Sequence, residues 1–438
     1  NNINLLCPNG QFGSRTLSNG SDASSARYIY TLLSKLSRTI FREDDNNILN
    51  YQEDDGQQIE PEYYIPIIPM ILVNGGLGIG TGYSTNVPQF NPNDLINISK
   101  LMCEAIKIAQ IKTETEEDLE KIYDTIDLTP IDELIPYYLG FKGVIEKNEK
   151  DSYVSKGIYN WIDDNTVEIT ELPIGTWTDD YKEFLENMIV NGTNHLKYIE
   201  NHYTSKNIRF ILHFNAGAKE IIGDKFEVLF KLSSSKNLNM NNMHLFSEKG
   251  AIKRYESTTE IIKEWAEVRI KKYYERKIYK VKILEKDYNI LSAKIKFIID
   301  VIEGRIIIMN KKLTDLALQL ENAGYSKIYK DDNDTNVSSE DTDDNIKGYR
   351  YLINMPISQL TYDRKIILEK EVEELNNKLD TLKNTNIEDI WLTELNELEE
   401  VWKEHKDAIE LDYENDKNGI VNKNGKAKPA KVVKKAKK

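Results

Sequence analysis

The clearest pattern along the chain is a heptad. Val281, Leu284, Tyr288, Leu291, Ile295, Ile298 and Ile302 are separated by 3, 4, 3, 4, 3 and 4 positions. That spacing predicts one long helix with an apolar seam, starting near Thr258. Leu368, Val372, Leu375, Leu379 and Leu382 repeat it with spacings of 4, 3, 4 and 3, and Leu395, Leu398 and Trp402 resume it. Neither stripe can be buried by its own helix, so each needs a partner. The simplest solution is an antiparallel two-helix arm over 258–303 and 356–410. The residues between, 304–355, are too many for a turn and suffice for a small tip. An arm of this kind spaces or joins the parts of a larger assembly.

The remainder is mixed. Residues 1–91 are dense in Gly and Pro. One helical patch is predicted there, Ser25–Leu36, with Ile29, Leu32, Leu33 and Leu36 on one face and Asp22 or Ser24 as its cap. Over 92–257, Asp94–Ile108 and Lys182–Ile189 read as helices. Thr166–Leu172 and Ile208–Leu212 alternate like strands. The expected class is α+β and multidomain. The longest apolar run, Ile65–Val73, is broken by Pro66 and Pro69. No stretch approaches the roughly 20 residues of a membrane helix.

Composition narrows the classes. A chain of 438 residues, 40% hydrophobic and 30% charged, supports about three globular domains. Two cysteines, Cys7 and Cys103, exclude a disulfide scaffold and a Cys-rich zinc site, and the five histidines show no metal-ligand spacing. The chain opens at Asn1 in what reads as mid-domain sequence, so a longer protein is expected. The net charge of −14 argues against a simple nucleic-acid coat. Its distribution is uneven. Residues 1–42 hold five bases and only Asp22 as acid, whereas 43–62 hold eight acids and no base. From Lys263 to Lys282 there are eight bases against three glutamates. Residues 331–344 hold seven acids and no base, and are expected to form a disordered acidic loop. From Lys417 to Lys438 there are nine lysines and no acid, suited to phosphate contact or nuclear import. The segment 411–438 is expected to be a disordered tail. Any DNA surface must be local.

Two short stretches could carry chemistry. Gly75-Gly76-Leu77-Gly78-Ile79-Gly80-Thr81-Gly82 is not a usable G-x-G-x-x-G, because Thr81 takes the last glycine position. It also lacks the Gly-Lys-Ser/Thr ending of a P-loop, so nucleotide binding is rejected. Alternating glycines allow close backbone approach and expose what lies between them, here Ile79; by themselves they also fit a plain structural turn. Arg27-Tyr28 sets a cation beside a phenol, a weak nucleophile until something activates it.

At these residues the sequence resembles the DNA breakage-reunion part of type IIA DNA topoisomerases of the eukaryotic and large-virus branch. The blocks are Asn2–Leu6, Gly10–Arg15, Ala26–Ser34, Ile59–Met70, Ile79–Thr85, Phe141–Gly143 and Glu171–Thr178, in collinear order. The likeness runs from about residue 1 to 410. It implies that Tyr28 is the nucleophile that takes a DNA 5′ phosphate, with Arg27 steadying the scissile phosphate. It implies that Ile79 wedges between base pairs of bent duplex and that Arg15 contacts phosphate. It also implies a layout: 1–91 as the latter part of a winged-helix domain, 92–257 as a tower, and the heptad helices as a coiled-coil arm. Residues 304–355 would be the tip that closes an exit gate in a homodimer. Mg²⁺ and ATP would be bound by upstream toprim and ATPase parts that this chain lacks, so the chain alone is expected not to cleave. One departure stands out: Asn19-Gly20-Ser21-Asp22 replaces the family's Gly-Gly-Lys-Asp and removes a phosphate-binding lysine. The alternative reading is a catalytically silent DNA-clamping dimer. Nuclear residence, or a virion or viral factory, follows from the resemblance.

Overall fold

The computed structural model describes residues 1–109, 115–125, 134–148, 152–329 and 344–417. The expected acidic loop, apart from Asp344, and residues 418–438 of the expected tail lie outside them. The chain forms two compact units, Asn1–Lys271 with Trp391–Lys438, and Lys272–Ile390.

In the first unit, Leu6–Asn9 pairs antiparallel with Tyr30–Leu33. This corrects the expected helix over Ser25–Leu36. Only Ala26–Tyr28 makes a single 3₁₀ turn there. An α-helix begins later, at Lys35–Ile40, where the Ser34 side chain accepts from the Ser37 amide. Asp22 and Ser24 therefore cap nothing in this region. The apolar positions are divided between the two elements: Leu36 faces the core, while Leu32 and Leu33 stand on an exposed strand. Behind this layer, Ile65, Ile67, Ile68, Leu72 and Val73 are buried. Asn2 is buried too, and its side-chain amide donates to the carbonyls of Val73, Phe90 and Tyr137.

A four-stranded antiparallel sheet runs in the order Leu196–Asn201, Phe210–Phe214, Thr166–Glu171, Ile158–Asp163. Val167, Ile169, Phe210 and Leu212 point into one core, covered by Tyr181, Leu185 and Met188 of the helix Thr178–Val190. The expected strands and helices of this region are present with shifted ends. The helix over Asp94–Ile108 runs Pro92–Ala109.

The long helix spans Thr258–Ile302, 45 residues or about 68 Å. In the second unit its continuation meets Tyr362–Asn384. Lys277 Nζ donates to the Lys383 carbonyl at 3.1 Å, and Lys383 pairs with Glu285 at 2.7 Å. A small core of Phe297, Leu316, Leu320, Tyr325, Tyr349 and Leu352 forms between these helices in sequence. The third heptad segment is different. Extended backbone at Thr385 ends the second helix, and a new helix, Ile387–Lys417, follows. From Trp391 onward it belongs to the first unit, where the Trp391 indole donates to the Ile67 carbonyl at 3.1 Å. Leu395, Leu398 and Trp402 are thus buried against the body rather than continuing the arm seam. The helix also extends through Lys417, past the expected start of the tail.

Candidate functional site

Tyr28 ends the 3₁₀ turn Ala26–Tyr28, just before the strand Tyr30–Leu33. The turn is closed by the Tyr28 amide donating to the Ser25 carbonyl at 2.9 Å. Tyr28 is 62% exposed. The Arg27 guanidinium carbon lies 4.9 Å from the Tyr28 ring centroid, a cation–π arrangement that sets a positive charge beside the ring. Among the described residues no side chain accepts a hydrogen bond from the Tyr28 hydroxyl.

The loop before this turn folds around Asp22. Its carboxylate accepts from the Ser14 amide at 2.9 Å, the Ser14 hydroxyl at 2.5 Å and Gln11 Nε2 at 3.3 Å. The Ser14 hydrogen bonds hold the Asp22 carboxyl below the usual carboxylate range. Gly10 makes the close approach possible. Its φ is +105°, and a Cβ there would stand 3.0 Å from both the Tyr28 carbonyl oxygen and Ile29 Cγ2.

Ile79 sits at the tip of a hairpin, Gly76–Ile79 with Ser84–Val87, and is 94% exposed. The Gly80 amide donates to the Tyr83 carbonyl at 2.8 Å and closes the turn. Leu77, two positions earlier and so on the same face of the strand, is 72% exposed. The hairpin's turn and second strand are braced from elsewhere in the chain. The Asn86 amide donates to the Asn242 carbonyl at 2.8 Å, Asn242 Nδ2 donates to Ser84 Oγ at 2.9 Å, and the His244 ring lies against Tyr83. Sequence reasoning missed Asn242 and His244, since no spacing or pattern marks them.

Arg15, the expected phosphate contact, is engaged within the chain. Its guanidinium pairs with Glu171, whose side chain is only 2% exposed. The same carboxylate accepts from the Lys142 and Leu172 amides at 3.1 and 2.9 Å. The Arg15 carbonyl accepts from the Thr178 hydroxyl at 3.2 Å. Arg15 thus ties the loop of Tyr28 to the sheet and helix beyond it.

The described geometry therefore offers an exposed tyrosine with a cation on its ring, and an exposed apolar residue on a braced hairpin. A model of the DNA gyrase/topoisomerase IV family, built on its A subunit, matches residues 1–396. The chain belongs to that family. Its DNA topoisomerase 2 relative from Plasmodium falciparum is 38% identical over 421 residues, covering 91% of this chain and 28% of that protein. DNA topoisomerase 2-alpha from Cricetulus griseus is 34% identical over 455 residues, covering 99% and 28%. A crystal structure described as the Plasmodium falciparum topoisomerase II DNA-binding, cleavage and re-ligation domain superposes with a TM-score of 0.75 at 36% identity. It covers 94% of this chain and 54% of that one. The chain thus spans just over a quarter of the length of these curated relatives. In this gyrase/topoisomerase IV family member, no group of three or more His, Cys, Asp or Glu among the described residues is placed to hold a metal ion. No helix among them is long and apolar enough to cross a membrane.

Proposed function

We propose that the chain is the DNA breakage-reunion part of an ATP-dependent type IIA topoisomerase, and that Tyr28 is its nucleophile. The observation that carries this reading is the exposed Tyr28 phenol with the Arg27 guanidinium at its ring. In the proposed step the Tyr28 oxygen attacks a backbone phosphorus. A P–Oη bond forms and the P–O3′ bond breaks. The phenol proton is taken by a base outside the described residues and is returned from that group to the departing 3′ oxygen, which leaves as a hydroxyl, while the 5′ end stays on Tyr28. Reversal reseals the strand. Arg27 supplies positive charge where the phosphorane oxygens gain negative charge.

Ile79 is the proposed wedge. Its side chain is held out in solvent, where an apolar group has nothing to gain until base steps open around it. Arg15 serves this reading as a positioning residue, holding the Tyr28 loop through Glu171. Residues 1–91 would act as the latter part of a winged-helix domain, 92–257 as a tower, and the second unit as arm and exit-gate tip. Two copies, each cutting one strand, would open a duplex for passage of another. Mg²⁺ and ATP would enter through upstream toprim and ATPase parts, in the same or a separate chain, and nuclear residence fits the eukaryotic relatives.

The test is made on the protein in its source cells. Rapid denaturation with a cleavage-trapping agent present, nuclease digestion and mass spectrometry are expected to find a nucleotide adduct on Tyr28. Tyr28→Phe is expected to lose the adduct and keep duplex binding. Abundant protein with no adduct, or an adduct on another residue, would sink the assignment and favour a DNA clamp without catalysis.

A further inference from the structure

The eight acids of residues 43–62 remain unexplained by a DNA-binding role. Five of them, Glu53, Asp54, Asp55, Glu60 and Glu62, lie exposed on or beside one hairpin, Tyr51–Asp54 with Gln57–Pro61. Asp55 and Gly56, at φ +48° and +74°, form its turn. Among the described residues none of the five faces a cation in an ion pair. At the foot of this hairpin a groove of about 790 Å³ opens in the same unit. Its walls are aromatic: Tyr63, Tyr64, Phe246, Tyr255 and Trp265. Tyr64 and Phe246 are 57% and 73% exposed. Glu62, Glu248 and Glu264 line it as well. Of the nearby bases, Lys253 is held by Glu264 at 2.8 Å, and Lys249 stands on the groove wall. The surface couples an apolar trough to a row of unmatched carboxylates. DNA is the wrong occupant for it, because phosphates would meet like charge.

We infer that this groove and its acidic hairpin receive the chain's own lysine-rich segment, residues 418–438. The complementarity is in charge and in apolar content. The segment carries lysines and no acid, and they are interleaved with Pro429, Val432 and Val433. Lysine stems pack on aromatic faces while their ammonium groups reach carboxylates. The reach suffices. Trp391, whose ring lies 5.8 Å from that of the groove residue Trp265, is at the near end of the helix Ile387–Lys417. From Trp391 to Lys417 the helix rises about 39 Å. An extended segment of 21 residues spans about 70 Å. About a dozen residues cover the return, and the last nine, Ala430–Lys438, can lie in the groove. Docked there, the lysines are withheld from DNA phosphate.

The test is zero-length carboxyl–amine cross-linking of the full chain, on an equal mixture of light and heavy isotope-labelled protein, mapped by mass spectrometry. The expected products join lysines of 418–438 to Glu53, Asp54, Asp55, Glu60 or Glu62 within one isotope. Tyr64→Ala with Phe246→Ala, both at exposed positions, is expected to lower the yield about tenfold while leaving every carboxylate in place. Links spread evenly over all exposed acids, links only between isotopes, or a yield unchanged in the double variant would each overturn the proposal.

Discussion

Arg269 and Asp45 meet as a buried bidentate pair, with Nη1 to Oδ2 at 2.7 Å and Nη2 to Oδ1 at 3.1 Å. Arg269 Nη1 also donates to the Ile65 carbonyl at 3.0 Å. The pair fixes the first turns of the long helix to the segment that follows Lys35–Ile40. Removing one partner strands a charge out of water. Asp45→Ala is expected to cost about 3–5 kcal/mol, whereas Asp45→Leu with Arg269→Met is expected to recover most of that. Urea unfolding followed by tryptophan fluorescence reads both, because Trp265 and Trp391 lie in contact within the same unit.

The Arg15–Glu171 pair makes a second prediction. Arg15→Ala leaves the Glu171 carboxylate buried with only backbone amides as donors, and is expected to lower stability by about 3 kcal/mol. The slope of DNA affinity against salt is expected to stay unchanged. A slope reduced by about one unit would instead make Arg15 a direct phosphate contact.

Ile79 predicts the opposite pattern. At 94% exposure its truncation to Ala removes almost no folded-state contact, so thermal unfolding is expected to shift by less than about 0.5 kcal/mol. Duplex bending, measured by fluorescence energy transfer between labelled DNA ends, is expected to fall sharply. Bending equal to that of the unaltered protein would remove Ile79 from the wedge role.

Asp22 gives a pH prediction. Its carboxyl lies below its ordinary value of 3.8, because the Ser14 hydroxyl and amide bond the charged form. A lowered folded pKa means the stabilisation is complete above the ordinary value and is lost as pH falls through the lower one. The loop Gln11–Ser24 is therefore expected to hold from neutrality down to about pH 4 and to loosen below it. The Ser14 amide resonance reports this, and Asp22→Asn is expected to show no acid transition.

Long-period features are more legible in this sequence than local ones. The start near Thr258 and the seam to Ile302 are readable because a heptad over six spacings has few other solutions. Ser25–Leu36 misleads because apolar residues at 29, 32, 33 and 36 fit a helix face. The chain instead runs extended through Tyr30–Leu33, where the Ser34 amide donates to the Leu5 carbonyl at 2.9 Å. That partner lies 29 positions away and leaves no periodic trace. Leu395, Leu398 and Trp402 keep the heptad yet change partner, since spacing specifies a buried stripe and not what buries it. The Asp55-Gly56 turn is present as a dipeptide, but the acids around it mask the signal. At the candidate site, Tyr28, Arg27 and Ile79 are singled out by the resemblance, and their roles stand as proposed. The engagement of Arg15 by Glu171, 156 positions away, is not.

The hairpin of Ile79 is held at its tip by the Gly80–Tyr83 hydrogen bond and at its base by Asn86 and Asn242. Its shape is set when the chain folds, so little loop entropy is lost when a ligand arrives. For the proposed wedge, the slow event on binding would then be deformation of the duplex, and association would be faster on flexible pyrimidine–purine steps than on stiff A-tracts. Discrimination among DNA sequences would in that case be kinetic, set by how readily each opens to a rigid probe.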